Sequence, residues 1–157
     1  MNKIDGSMCE NRGYSVFSHS YTLKAALLNL GISAKILTIN DDFNATKETI
    51  KKAISNCDIL ITTAGISVGD YDFVGKALNE LDTETIFYKV KQKPGKPLFF
   101  GKFNKTLIFG LPGNPAAALS SFYIYVTSAI YAMMGHNNKT LTINSFKLNK
   151  EYSKTVN

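Results

Sequence analysis

The segment "FGLPGNP" places Pro112 and Pro115 between a short apolar run and a long uncharged one. Gly113 permits a positive φ angle, Asn114 suits the N-cap of a helix, and Pro115 suits its first position. Because the first turns of that helix carry no charge, its amides and its dipole are available to an anion such as a phosphate. A rigid strand-to-helix turn with no ligand explains the same residues equally well.

The segment "TTAGISVGD" contains the glycines and hydroxyl groups of a ligand-binding loop. Gly65 and Gly69 allow the backbone to approach a ligand closely. Thr62, Thr63 and Ser67 offer hydroxyl groups that both donate and accept hydrogen bonds. A glycine-containing loop is a weak signal on its own, since a tight turn between a strand and a helix has the same composition.

Carboxylates occur in two places where they could serve a site. Asp41 and Asp42 follow an apolar run, and Asp70 and Asp72 lie at or near the start of a helical pattern. The ordinary interpretation is that they complement the positive end of a helix. The functional interpretation is that Asp72, opposite Asp41, helps to hold Mg²⁺ through oxygen ligands and water. The spacing alone leaves both open.

The segment "YKVKQKPGKP" concentrates positive charge. In an extended strand, Lys89, Lys91 and Lys93 project to one face, and Lys96 follows across a Pro-Gly turn. Because like charges on one face repel each other, the arrangement needs solvent or an anion. A solvated edge strand satisfies this requirement, and so does a polyphosphate or oxyanion partner.

Other site chemistries find little support in the sequence. It contains no Ser-His-Asp arrangement and no Walker pattern. Cys9 and Cys57 lie far apart in the sequence, so we interpret them as reduced thiols of a cytoplasmic protein. His19 and His136 stand singly, so we interpret them as surface or helix-end residues and not as zinc ligands.

The elements that position these loops alternate between helix and strand. Ser20 is the predicted N-cap of the first helix, Gly31 its stop, and Asn44 the predicted cap of the second. The predicted helices are "SYTLKAALLNLG", "NATKETIKKAISN", "YDFVGKALNEL" and Ala116–Met134, and the predicted strands are "SAKILTIN", "CDILITT", "TIFYKVKQ" and a hairpin in "LFFGKFNKTLIFG" that turns at Asn104-Lys105.

This order predicts a three-layer α/β domain with a mostly parallel sheet. In such sheets, ligands bind beyond the carboxyl ends of the strands. The loops after "SAKILTIN", "CDILITT" and "TLIF" all stand at such ends. If these strands are parallel, the loops share one rim of the sheet.

The composition is that of a folded domain. The 157 residues are 45% hydrophobic and 19% charged, with a net charge of +6 that suits an anionic ligand. No basic run is interleaved with aromatics, which argues against nucleic acid. The uncharged stretch Ala116–Met134 nearly reaches membrane-spanning length, but its serines and tyrosines favour a helix buried against a sheet. We therefore expect a soluble protein.

Taken in order, "TTAGISVGDYDFV", "KPGKP" and "FGLPGNP" resemble the molybdopterin molybdenumtransferase family, which includes the E domain of gephyrin. The resemblance extends from about Val16 to Met134. Molybdopterin-binding domains of the adenylyltransferase type have a similar fold, but "SVGDYDFV" and "KPGKP" are more similar to the molybdenumtransferase branch.

The resemblance implies the last step of molybdenum cofactor synthesis. Adenylylated molybdopterin would be bound and hydrolysed, and molybdate would be inserted into its dithiolene with Mg²⁺. Asp41 and Asp72 match the acidic residues of the metal and molybdate site, and Lys89 and Lys93 match the catalytic lysines. The residues assigned to the pterin pocket are Gly65, Ser67, Gly69, Lys96, Pro112, Gly113, Asn114 and Pro115.

The chain also departs from the family pattern. No Thr-Gly-Asp-Glu motif precedes Tyr14, so we expect the first strand of the sheet, and a catalytic acid, to be missing. We expect a molybdopterin-binding domain over residues 14–136 and the cut-off start of a C-terminal β domain over residues 140–157. The family's usual Asp-Ser-Asn is replaced by Ser18-His19-Ser20.

Three further readings of the function remain open. The chain could be a non-catalytic fragment that binds molybdopterin, or an adenylyltransferase-type protein that binds it. A scaffold is the third, because gephyrin's related domain dimerises and binds receptor tails. The family implies a homodimer with a small pterin as partner, and the sequence itself favours a cytoplasmic protein that binds neither nucleic acid nor membrane.

Overall fold

A computed structural model describes residues 6–11, 17–39, 42–63, 73–137, 144–147 and 149–151, with the backbone alone for residues 6–11 and 17–19. Strands and helices alternate along the chain, and the last helix contains a π-helical stretch, Phe122–Val126, here called the π segment. The strands are β1 (Gly6–Asn11), β2 (Ala34–Ile39), β3 (Ile59–Thr63), β4 (Glu84–Tyr88), β5 (Phe99–Phe103) and β6 (Thr106–Leu111). The helices are α1 (Phe17–Asn29), α2 (Phe43–Ile54), α3 (Phe73–Glu80), α4 (Pro115–Ser121) and α5 (Thr127–Met133).

The six strands form one sheet in the order β2-β1-β3-β6-β5-β4. Strand β1 is parallel to β2 and to β3, and β3 is parallel to β6. Strand β5 is antiparallel to both β6 and β4, so it runs against the other five described strands. The predicted mostly parallel sheet is therefore confirmed.

The prediction that the first strand is missing is wrong. Strand β1 lies between β2 and β3, with Met8 opposite both Ile36 and Ile61. Its sequence, "GSMCEN", lacks the β-branched residues that mark a strand. Pairing on both sides satisfies its backbone groups, and this interaction is not visible in the local sequence. The Thr-Gly-Asp-Glu motif remains absent, and the domain bounds stay predictions.

Helices cover both faces of the sheet, as expected for three layers. On one face, α1 and the last helix bury Leu23, Phe122 and Ile130 in a shared cluster. On the other face, Ile50 of α2 and Leu78 of α3 lie in a second cluster. Burying each such side chain contributes about 1.5–3 kcal/mol, so these contacts fix the helices on the sheet.

The structure differs from the prediction at the N-caps of two helices and agrees with it at the β5–β6 hairpin. Helix α1 begins at Phe17, so Ser20 lies within it, and the helix is followed by Gly31 at a φ angle of 75°. The cap of α2 is Asp42, whose Oδ1 accepts a 2.6 Å hydrogen bond from Ala45 N. Asn44 already lies within α2, so it is not the N-cap of this helix. The predicted hairpin between β5 and β6 is confirmed.

The continuous helix Pro115–Met133 is long and apolar enough to cross a membrane by length and composition. Core helices of α/β domains pass the same test. Here Ala118, Phe122 and Val126 are buried in the cluster against the sheet. This packing is the one expected of a core helix.

The predicted start of a C-terminal β domain over residues 140–157 is described only in part. Residues 140–143 lie outside the described part of the chain. Asn144, Ser145 and Phe146 are exposed and form no strand.

Candidate functional site

The carboxyl ends of the strands lie on one edge of the sheet. Strands β3 and β6 end side by side, with Thr63 opposite Leu111, and β2 ends on the same edge at Ile39. The connection from β4 to β5 lies there as well, because Tyr88 is paired with Phe99, and Phe99 with Gly110. We call this edge the rim, and its existence confirms the predicted strand directions.

Five predicted site residues follow strands that end at the rim but lie outside the described residues. They are Asp41, Gly65, Ser67, Gly69 and Asp72. Their assignment to metal, molybdate and pterin binding therefore stays a prediction. Among the described residues, no group of three or more His, Cys, Asp and Glu side chains could hold a metal ion.

The turn "LPGNP" connects the rim to the last helix. Asn114 Oδ1 accepts a 3.0 Å hydrogen bond from Ala117 N, and Pro115 is the first helical residue, which confirms the predicted cap. Pro115 has no N–H, and Ala117 donates to the cap, so Ala116 keeps the amide that an anion could use among the first three helical residues. The helix terminus is thus a smaller anion site than its sequence predicts.

Gly113 does not adopt a positive φ angle in this turn. The positive φ angles of described glycines occur at Gly31, Gly95 and Gly135. Gly113 is exposed, whereas Pro112 is buried at the end of β6. Gly113 therefore needs no special backbone conformation in this turn.

The segment 89–97, here called the lysine turn, is not an extended strand. Strand β4 ends at Tyr88, and Lys89 has a φ angle of 68°. The turn closes on itself, because Lys89 N donates to Leu98 O over 2.8 Å and Val90 N donates to Lys96 O over 3.0 Å. The predicted alignment of Lys89, Lys91 and Lys93 on one strand face is therefore wrong.

The lysines of the turn keep their charges available. Lys89, Lys91, Lys93 and Lys96 are exposed, and none of them pairs with a carboxylate in the part of the chain described. Lys89 Nζ lies 4.8 Å from the centroid of the Tyr88 ring, a cation–π contact. Four positive charges on one short turn are the strongest described attraction for an anion at the rim.

The lysine turn packs against the last helix. A Cβ atom at Gly95 would lie 2.7 Å from Gln92 Nε2 and 3.3 Å from Ser121 Oγ, and the φ angle of 109° itself favours glycine. Gln92 and Ser121 are not among the site residues predicted from the sequence. Ser121 carried a signal, since it is a polar residue one position before buried Phe122 on the inward face of a helix.

Among the described residues, four buried hydroxyl groups have no hydrogen-bond partner: those of Thr62, Thr63, Thr83 and Ser121. Thr62 and Thr63 end β3 at the rim, and they point to opposite faces because side chains alternate along a strand. Buried polar groups normally find partners. Unsatisfied hydroxyls beside the rim are therefore available to a bound polar molecule.

A separate cavity of about 390 Å³ lies between α2 and the edge strand β2. It contains none of the predicted site residues. Its lining consists of Lys35, Leu37, Thr49, Lys52, Ala53, Asn56 and Cys57.

Comparison with protein families gives one match over most of the chain. The model of the family described as "Probable molybdopterin binding domain" matches residues 12–132. These residues contain the rim, the lysine turn and the last helix except its end.

Curated relatives agree with the resemblance seen in the motifs. A molybdopterin molybdenumtransferase of Nostoc sp. is 39% identical over 127 residues, which are 78% of this chain and 29% of the relative. One of Staphylococcus epidermidis is 34% identical over 119 residues, 75% of this chain and 28% of the relative. The chain thus spans less than a third of the length of these relatives.

Solved structures share the fold. The molybdopterin biosynthesis moea protein of Pyrococcus horikosii has a TM-score of 0.71 at 23% identity, over 87% of this chain and 37% of that one. The molybdopterin biosynthesis Mog protein of Mycobacterium ulcerans has a TM-score of 0.65 at 17% identity, over 87% and 100%. At these identities the likeness concerns the fold.

Proposed function

The chain belongs to the family of probable molybdopterin binding domains, which are domains of molybdenum cofactor biosynthesis, and on that premise we propose that it binds adenylylated molybdopterin at the rim. As part of a molybdenumtransferase, it would take part in inserting molybdate into the dithiolene of that pterin. Relatives that carry this name, at 34–39% identity, support the choice of reaction.

One observation carries the proposal. The lysine turn and the "LPGNP" turn, far apart in sequence, lie at the same edge of the sheet, because β4, β5 and β6 are adjacent. Four exposed lysines, which have no carboxylate partner among the described residues, therefore belong to a turn at the same edge of the sheet as the capped helix terminus. Phosphate groups suit such a site, since lysines act as point charges and a helix N-terminus favours anions.

The described residues divide the work of binding. Lys93 and Lys96 would hold the phosphates, while Lys89 would neutralise charge that develops as the phosphoanhydride is cleaved. Pro112, Gly113, Asn114 and Pro115 would form one wall of the pterin pocket. In the loops outside the described residues, Gly65, Ser67 and Gly69 would bring backbone and hydroxyl groups to the ligand.

Magnesium fits the donor set that the sequence offers. Asp41 and Asp72 supply carboxylate oxygens, the ligands that Mg²⁺ prefers. The ion would neutralise phosphate charge and assist the insertion of molybdate into the dithiolene. We propose these two carboxylates as its protein ligands.

Titration of the purified chain with molybdopterin tests the binding site. We expect micromolar binding by the wild type, about tenfold weaker binding by Lys93→Ala, and unchanged binding by Lys105→Ala, an exposed lysine of the β5–β6 hairpin. With Mg²⁺ present, Asp72→Ala should lose the metal dependence. A folded wild type that does not bind would refute the proposal.

A second candidate follows from the length of the chain. Because it spans less than a third of its curated relatives, it could bind the pterin without turning it over. A molybdate insertion assay on the same preparation separates the two, and addition of ATP to molybdopterin tests an adenylyltransferase. We also propose that the chain is located in the cytoplasm and forms a homodimer.

A further inference from the structure

Gln92 connects the lysine turn to the last helix through both ends of its amide. Its Oε1 accepts a 3.1 Å hydrogen bond from Tyr125 Oη, and its Nε2 donates a 3.0 Å hydrogen bond to Pro94 O. Its own backbone N donates to Val90 O over 2.9 Å. The side chain thus joins Pro94 in the turn to a tyrosine outside it, and the backbone of the same residue bonds to Val90. We call this arrangement the Tyr125–Gln92 clasp.

The position of Tyr125 is itself fixed by packing. Its ring lies 6.4 Å from the ring of Phe87 on β4, and the Phe87 ring lies 5.4 Å from that of Phe100 on β5. Tyr125 belongs to the π segment, where one extra residue in the helical turn changes the direction of the side chains. The hydroxyl that reaches Gln92 is therefore held by the sheet and by the helix together.

The lysine turn needs such a restraint. Lys89, Lys91, Lys93 and Lys96 repel one another and have no carboxylate partner among the described residues. An acidic restraint would compete with an anionic ligand for these lysines. An amide and a phenol hold the turn without adding a negative charge.

We propose that Gln92 and Tyr125 are positioning residues that hold Lys93 and Lys96 at the rim for the phosphate groups of the ligand. The proposal rests on the proposed function for the identity of the ligand, but the clasp itself can be measured without any ligand. Gly95 contributes by its close approach to Gln92 and Ser121, which keeps the turn against the helix.

The test compares Tyr125→Phe and Gln92→Leu with the matched control Tyr123→Phe. Tyr123 is an exposed tyrosine of the same π segment. In the chain without ligand, we expect the amides of Lys89 and Val90 to exchange hydrogen about threefold to tenfold faster in both clasp variants. The β5–β6 hairpin should exchange at its wild-type rate in all three.

Binding of molybdopterin provides the second measurement. Tyr125→Phe should raise the Kd about threefold to tenfold. Lys93→Ala should then weaken binding less in the Tyr125→Phe background than in the wild type, because a loosened turn no longer places the lysine. A general loss of stability would not produce this coupling.

The outcomes separate the two proposals. If the wild type does not bind molybdopterin, the proposed function fails, and unchanged exchange in Tyr125→Phe would also overturn the clasp. If the wild type binds and Tyr125→Phe matches Tyr123→Phe in exchange, the clasp does not restrain the turn. Additive effects of Tyr125→Phe and Lys93→Ala on binding would overturn the positioning role.

Discussion

Gly95 lies so close to Ser121 that a Cβ atom at Gly95 would stand 3.3 Å from Ser121 Oγ. This approach joins a turn between two strands to a helix that follows in sequence. The φ angle of Gly95 is 109°, a conformation open to glycine and strained for other residues. The backbone conformation therefore favours glycine here, and a Cβ atom would also displace the Gln92 amide.

Replacing Gly95 with alanine should loosen the lysine turn. We expect Gly95→Ala to lower the free energy of unfolding by about 2–4 kcal/mol, from backbone strain and from the clash with Gln92 Nε2. The matched control is Gly135→Ala, where φ is 75° and nothing lies within 4 Å of the new Cβ. The control should lose about 1–2 kcal/mol. Denaturant unfolding measures both, and equal losses would show that the contact has no effect.

The cap at Asn114 allows stability and binding to be separated. Asn114→Ala removes the acceptor for Ala117 N and should lower the free energy of unfolding by about 0.5–2 kcal/mol. Asn114→Asp keeps an acceptor and adds a negative charge, which favours the helix. The same charge should repel an anionic ligand. We expect a free energy of unfolding like that of the wild type and a higher Kd for molybdopterin. An unchanged Kd would show that the ligand does not bind near this helix terminus.

The elements with the strongest local signals were predictable from sequence. The five buried residues of β3, the β5–β6 hairpin and the Asn114 cap all agree with the patterns that predicted them. Each depends on side chains within a few residues of one another. Local sequence is sufficient in such cases.

Long-range pairing explains what the sequence did not predict. Strand β1 is polar by composition and is a strand because β2 and β3 accept it on both sides. The lysine turn leaves β4 because Val90 and Lys96 bond to each other, and Gln92 matters because Tyr125 reaches it from a distant helix. None of these partners is visible in the local pattern.

A buried threonine connects β6 to the end of α2. Thr106 Oγ1 lies 2.8 Å from the carbonyl oxygens of both Ile54 and Cys57. Thr106→Val preserves the shape but leaves these acceptors without their donor, so we expect a loss of about 1–3 kcal/mol in unfolding free energy. Thr106→Ser keeps the hydroxyl and should lose less. Urea unfolding checks the order, and a Thr106→Val variant as stable as Thr106→Ser would contradict it.

Removing the hydroxyl of Thr63 should have the opposite effect on the free energy of unfolding. It is buried at the end of β3 and has no hydrogen-bond partner among the described residues, so Thr63→Val should raise the free energy of unfolding by about 1–2 kcal/mol. If the hydroxyl contacts the ligand at the rim, the same variant should bind molybdopterin several-fold more weakly. Unfolding and titration of one preparation measure both quantities. A gain in stability with full binding would show that Thr63 does not touch the ligand, and a loss of stability would show that the hydroxyl is satisfied in the folded chain.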